Sequence, residues 1–332
     1  MNILASDIVK PYIPRNFGRE YYEINGSSQY PMFLATALGI KPVFDDWVHI
    51  GKYYDFVEAC GKYGLEAVPD VLFTEAEPAK GKITGKESIT TTYFNARPFS
   101  PDEKEGKVHV FVSRDKGKAI EAKKSGWYPV VINNRSTNKL YMDNIRFGRC
   151  LGFPPCCIDF FRKYNNWYFY SNPYETFKNT PAISGKARGS YYCNNFFMDN
   201  TYSLIHHLPC SYRCQNTINL AKRIEEKIND AEPDFVEKAM EMLKKPLLVF
   251  GERNFVVFDG AITKLDDDFH IDYEKCQYFQ NPARPEDAIE FFGNIEEGNN
   301  IIMSKDRITI RDNNSALKTV EKKTEWFAID FD

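Results

Sequence analysis

Val108-His109-Val110-Phe111-Val112-Ser113, Lys118-Ala119-Ile120-Glu121-Ala122-Lys123-Lys124 and Pro129-Val130-Val131-Ile132 follow one another near the middle of the chain. The first run alternates and is β-branched, the second has the composition of a helix, and the third is short and apolar, so together they read as strand, helix, strand. This βαβ-type unit leads into a helix-like segment from Asp143 to Leu151 and then into Gly152-Phe153-Pro154-Pro155-Cys156-Cys157. The expected class is α/β or α+β, with a βαβ-type core carrying a helical cysteine-cluster region.

On the amino-terminal side, Met32 to Gly39 is apolar, Tyr53 to Cys60 is helix-like and ends near Gly61 or Gly64, and Ala67 to Phe73 is strand-like. The span from Glu75 to Glu105 is rich in Lys, Glu, Gly, Pro and Thr and reads as a solvated connection. On the other side, Ile218, Leu220, Ala221, Ile224 and Ile228 have helical spacing, and a further helix reads from Asp234 to Lys244. Beyond Pro246 short strands dominate, with Asp259-Gly260 as a hairpin signal, a helix-like Glu286 to Phe292, and strands at 300–303 and 307–310. The expected division is an amino-terminal region over 1–105, a cysteine-cluster core over 106–245 and a smaller β-rich carboxy-terminal domain over 246–332.

The 332 residues carry a net charge of −3, which gives no global basic field and weakens a nucleic-acid reading. No apolar run is long enough to span a bilayer, and Met1 to Asp7 lacks a basic region followed by an apolar core, so the expected location is cytoplasmic. Eight cysteines in such a chain point to metal or redox chemistry before a disulfide scaffold.

Four of them fall in two proline-led clusters, the one ending Pro155-Cys156-Cys157 and His206-His207-Leu208-Pro209-Cys210-Ser211-Tyr212-Arg213-Cys214. Proline favours the first helical position, so each cluster is expected in a first helical turn, with Cys210 and Cys214 one turn apart on one face. Helix N-termini favour thiolates, which is what metal ligation needs. The vicinal pair departs from zinc-ribbon spacing, and neighbours on a helix point about 100 degrees apart, awkward for one small ion. The preferred reading is an iron–sulfur cluster of the 4Fe-4S kind on Cys156, Cys157, Cys210 and Cys214. The alternatives are zinc and a redox or buried thiol group. His207 and Cys150 are candidate neighbours of the centre, Cys193 an outside candidate, and Cys60 and Cys276 read as packing residues.

Between the clusters lie Trp167-Tyr168-Phe169-Tyr170 and Ser184-Gly185-Lys186-Ala187-Arg188-Gly189-Ser190. An aromatic wall with a basic loop suits a flat anionic small molecule or nucleobase, with Lys186 and Arg188 as anion contacts. The plainer reading is an insertion packing its aromatics on the core. A P-loop, a dinucleotide fingerprint, His-Glu-x-x-His, the radical S-adenosylmethionine triad and a nucleophile elbow are all missing from the sequence.

Leu151-Gly152-Phe153-Pro154-Pro155-Cys156-Cys157 with Phe160 and Phe161, and His207-Leu208-Pro209-Cys210-Ser211-Tyr212-Arg213-Cys214, resemble the motifs of domain of unknown function 483, a prokaryotic family best represented in archaea. The resemblance covers the central third and implies a shared cysteine site without naming its chemistry. Two functions follow as expectations. One is an iron–sulfur redox or Lewis-acid enzyme, an oxidoreductase or lyase with a small-molecule substrate or electron donor. The other is a zinc-stabilised module that binds RNA or a protein.

Overall fold

A computed structural model describes residues 8–10, 12–15, 17–26, 29–76, 93–126, 128–132, 135–141, 143–164, 172–181, 188–197, 202–251, 254–265, 268–279 and 286–332. In chain order the elements are α1 (Arg19–Asn25), α2 (Tyr30–Ala37), β1 (Phe44–His49), α3 (Tyr53–Lys62), β2 (Glu66–Ala76), β3 (Tyr93–Pro98), β4 (Lys107–Ser113), α4 (Lys116–Lys123), β5 (Tyr128–Ile132), β6 (Arg135–Tyr141), α5 (Asn144–Cys150), α6 (Pro155–Tyr164) and α7 (Asn172–Lys178). They continue with β7 (Arg188–Gly189), α8 (Gln215–Ala231), α9 (Pro233–Leu243), β8 (Leu247–Gly251), β9 (Asn254–Leu265), β10 (Asp268–Phe279), α10 (Glu286–Phe292), β11 (Asn300–Met303), β12 (Arg307–Asp312), β13 (Ser315–Glu321) and β14 (Phe327–Phe331). The class is mixed α and β, as the sequence reading held.

The smaller sheet has the order β1-β4-β2-β3 and is antiparallel throughout. Side chains alternate across a strand, so Val108, Val110 and Val112 face the main core with Phe44 and Val48. Phe111, Val43 and Val68 face the other way, onto Ala119 and Ala122 of α4 and Leu151. The expected βαβ unit is not formed among the described residues. Both edges of β4 are taken, by β1 and by β2, so the strand after α4 has no place beside it. It pairs instead with β6 as a separate two-stranded hairpin.

The larger sheet has the order β13-β12-β11-β10-β9-β8-β14-β7. Leu247, Val249, Phe255 and Val257 point into the main core beside α8 and α9, whereas Leu248, Phe250, Val256 and Phe258 point to a second core closed by Phe291 and Phe292 of α10. β7 joins the sheet parallel to β14, pairing Gly189 with Phe331 and bringing the sheet's edge to the second cysteine segment. Asp259-Gly260 does not make a hairpin turn. β9 runs straight through it at an irregularity opposite Tyr273 and Lys275. A Cβ on Gly260 would stand 1.9 Å from the Asp272 carbonyl oxygen, so the glycine serves close strand approach.

Candidate metal centre

Cys156 and Cys157 occupy the first turn of α6, as their proline lead implies. Asp143 caps α5 by accepting from the Ile145 and Arg146 amides, and the chain reverses at Gly152, whose φ of 73° lies in the left-handed region. The Cys157 and Ile158 amides then close on the Pro154 carbonyl. The two vicinal sulfurs converge, with Sγ atoms 3.9 Å apart. Every Cα–Cβ bond of a helix tilts toward the N-terminus, so the sulfurs of two neighbours in a first turn can meet at the helix end.

The second cluster is not helical where the sequence placed it. α8 begins at Gln215 with Cys214 as its N-cap at φ −60°, ψ 111°, and Cys210 lies in the preceding turn. The backbone of 209–213 is engaged elsewhere. Thr176 Oγ1 donates to the Pro209 carbonyl at 2.9 Å, Asn179 Nδ2 to the Cys210 carbonyl at 2.6 Å, and the Tyr212 amide to Thr180 Oγ1 at 2.9 Å. The Ser190 amide donates to the Tyr212 carbonyl at 2.8 Å. With those groups spent on α7, the two residues after it and Ser190 beyond β7, no helical ladder forms before Cys214.

Cys214 Sγ lies 3.6 Å from Cys156 Sγ and 3.7 Å from Cys157 Sγ. With Cys210, the four sulfurs all lie within 4.8 Å of one another, positioned to hold a metal ion. The surroundings suit anionic sulfur: the Cys210 amide and Thr217 Oγ1 reach Cys157 Sγ at 3.4 and 3.3 Å, and Asn216 Nδ2 donates to Cys156 Sγ at 3.4 Å. The N-termini of α6 and α8 add their positive dipole ends. Hydrogen bonds from Cys157 and Cys210 hold the Cys214 thiol far below the usual range, while hydrogen bonds to Cys210 and Cys214, with burial, push Cys157 up.

His207 is buried and stands one step out. Its Nε2 is 3.0 Å from Thr217 Oγ1, so the imidazole fixes the hydroxyl that touches Cys157. Burial, then Lys41, lowers its pKa to about 3 and keeps it neutral. Cys193 is buried with its Sγ 3.8 Å from the Cys214 carbonyl, supporting the turn. Cys150 packs with Phe147 and Phe153 on the smaller sheet's far face. Neither is in the four-sulfur group. Cys60 and Cys276 are buried in the two large cores. Arg188 places its Nε 3.9 Å from Asp330, and its carbonyl accepts from Arg213 Nε at 2.8 Å. Lys186 and the Trp167 to Tyr170 run lie outside the described residues.

A second polar group escaped the sequence reading. His109, fully buried, has Nε2 3.2 Å from Asp45 and Nδ1 3.3 Å from Asp70. Burial opposes its charged form, but the two carboxylates outweigh that and raise its pKa. Register assembles this group: β1 sets Trp47 opposite His109, and an irregularity in β2 between Pro69 and Leu72 admits Asp70. Nearby, the buried Lys41 ammonium donates to the Leu151 carbonyl at 2.6 Å and lies 5.0 Å from the centre of the Phe153 ring, which in turn packs on His207 at 5.1 Å. A histidine inside a valine-rich strand and paired aspartates in β1 were the signals available in the sequence.

Among the described residues no helix is long and apolar enough to cross a membrane. Comparison of the chain with protein-family models, curated proteins and solved structures finds no match.

Proposed function

We propose that Cys156, Cys157, Cys210 and Cys214 hold a single tetrahedral zinc ion as a structural staple, and that the chain is a zinc-stabilised module binding RNA or a protein partner. One observation carries the reading of the ion. The separations among the Cys156, Cys157 and Cys214 sulfurs, 3.6, 3.7 and 3.9 Å, are those of one face of a tetrahedron, and Cys210 keeps all four within 4.8 Å. Zinc–sulfur bonds of about 2.3 Å give an edge of about 3.8 Å. An iron–sulfur cluster carries thiolates outward on separate irons, which needs wider spacing than this.

The placement of the ligands favours a staple. They come from α6, a turn and the cap of α8, and the turn is also tied to α7 and β7, so one ion would fasten segments 58 residues apart in sequence. All four coordination positions are taken by protein sulfur, the closed arrangement of structural zinc sites. The likeness to domain of unknown function 483 rests on the same two motifs and adds no chemistry. The partner-binding part of the reading rests on the aromatic and basic stretch between the motifs.

Purification without oxygen, followed by zinc, iron and acid-labile sulfide per chain and a visible spectrum, tests the ion. One zinc per chain in a colourless protein, lost in Cys214→Ser, is the expected result. Iron with sulfide and a brown colour overturns it in favour of the cluster. The zinc-loaded chain, immobilised on a sensor, is then presented with single-stranded RNA and with protein fractions, the salt dependence of any binding separating the two partner classes.

A further inference from the structure

Lys41 presents a problem of burial that the metal centre does not solve. Its residue is 5 % exposed, yet among the described residues its ammonium meets one hydrogen-bond acceptor, the Leu151 carbonyl, and no carboxylate within ion-pair distance. The Phe153 ring covers one side. An ammonium has three N–H donors, so two are left unspent in a place where each unpaired donor costs free energy. Asp45 is close enough to act on the charge, but its carboxylate is engaged with His109.

A second orphan borders the same region. Gln29 is 9 % exposed, its Nε2 is 3.0 Å from His206 Nε2, and its Oε1 has no partner. Turning the amide over would leave the nitrogen orphaned instead, so one end is unsatisfied either way. His206 and His207 are consecutive, Gln29 touching the first and Lys41 reaching the second across Phe153. The Asp45 side chain keeps 12 % exposure and His206 is half-buried, so solvent reaches two of the groups around Lys41.

We propose that Lys41 anchors a binding site for a small oxyanion, the carboxylate or phosphate group of a small molecule, between the smaller sheet and the His206-His207 segment. The anion takes the two free N–H donors of Lys41, charge-assisted bonds that a buried ammonium makes strongly. The remainder of the ligand supplies a polar group to the unspent end of Gln29. Phe153 lies beside the Lys41 ammonium and links the site to His207, one hydroxyl away from the sulfur cluster. This inference does not depend on which ion the cysteines hold.

Isothermal titration of the metal-loaded full chain at fixed ionic strength, with inorganic phosphate and with acetate in separate runs, tests the site. Saturable binding of at least one probe is expected, and which one binds tells phosphoryl from carboxylate ligands. Lys41→Met should weaken it about 10- to 100-fold, the weight of one or two charged hydrogen bonds. Binding of neither probe, or equal binding by Lys41→Met, overturns the proposal. A second measurement needs no variant. Saturating probe should slow reductive methylation of Lys41 about tenfold, as expected for an ammonium engaged by an anion, with other lysines unchanged. An unaltered rate at Lys41 also overturns it.

Discussion

Gly148 controls how closely the cysteine helix packs, and replacing it with alanine should have an effect whose sign depends on one neighbour. The glycine lies inside α5, and a Cβ there would stand 2.8 Å from Ile158 Cγ1 and 3.0 Å from Ile158 Cδ1. Ile158 is buried and follows Cys157 directly in α6. Two terms oppose each other. Alanine in a helix interior is favoured over glycine by about 0.8–1 kcal/mol. Forcing a methyl into a packed contact costs about 1–3 kcal/mol, because neighbours leave their preferred rotamers or the helices separate. Cγ1 moves only with χ1, and a β-branched residue in a helix keeps one strongly preferred χ1, so rotating Ile158 out of the way has its own cost. The clash should win, and Gly148→Ala should destabilise by about 1 kcal/mol.

Removing the obstacle reverses the sign. In an Ile158→Ala background both close contacts vanish, the helix-propensity gain remains, and the new methyl fills part of the cavity. There Gly148→Ala should stabilise by about 1 kcal/mol, giving a coupling of about 2 kcal/mol in the double-mutant cycle. Urea unfolding of the four proteins at equal metal loading measures it, with affinity for the metal ion as a second reading, since α6 cannot shift without moving the Cys156 and Cys157 sulfurs. A stabilised Gly148→Ala single variant with unchanged metal affinity, or additive effects, would refute the argument that this glycine sets the α5–α6 distance.

Two other predictions address buried carboxylates. Asp287 is fully buried in α10 and accepts from the Lys323 and Thr324 amides, each at 2.9 Å, and from Thr324 Oγ1. Asp287→Ala leaves two amides unpaired and should cost about 3 kcal/mol or more, measured by urea unfolding, and a cost below about 1 kcal/mol would show those donors satisfied otherwise. Asp46 is buried and accepts from Tyr21, Asn25 and the Trp47 amide, yet burial raises its pKa to about 7. The folded state then holds the proton more tightly than the unfolded one, so this contribution is fully present below about pH 4 and fades as pH rises through about 7. It amounts to at most about 4 kcal/mol. Unfolding midpoints from pH 5 to pH 8 should fall more steeply for the natural protein than for Asp46→Asn, and equal slopes would contradict the assignment.

The elements that were legible in the sequence are those whose side-chain period alone places them against a core. The Ile218 to Ile228 spacing belongs to α8, the Glu286 to Phe292 helix is α10, and the alternation at 108–113 is β4. The errors share a cause, which is that a local signal was overruled by partners distant in sequence. Pro209 looked like a helix start, but Thr176, Asn179, Thr180 and Ser190 claim the backbone around it. Asp259-Gly260 looked like a turn, but the bulk of the Asp272 strand makes the glycine a point of close approach. The run at 129–132 looked like the return of a βαβ unit, but the edges of β4 were already occupied.

The same distinction separates the two polar sites. Four cysteines announce themselves because thiols are rare and their chemistry is narrow, so their identity survives even when the geometry expected of them is wrong. Lys41, Asp45, His109 and Gln29 are common residues whose meaning depends on where strands pair. His109 meets Asp45 only because β1 and β4 align Trp47 with it, and Asp70 only because β2 slips its register. A one-residue change of either register would turn these side chains to the opposite face. A buried ammonium with unspent donors is therefore a property of the assembled sheet and of the turn packed against it. Its candidacy as a binding site comes from counting hydrogen bonds in the fold, which no spacing of residues along the chain could have supplied.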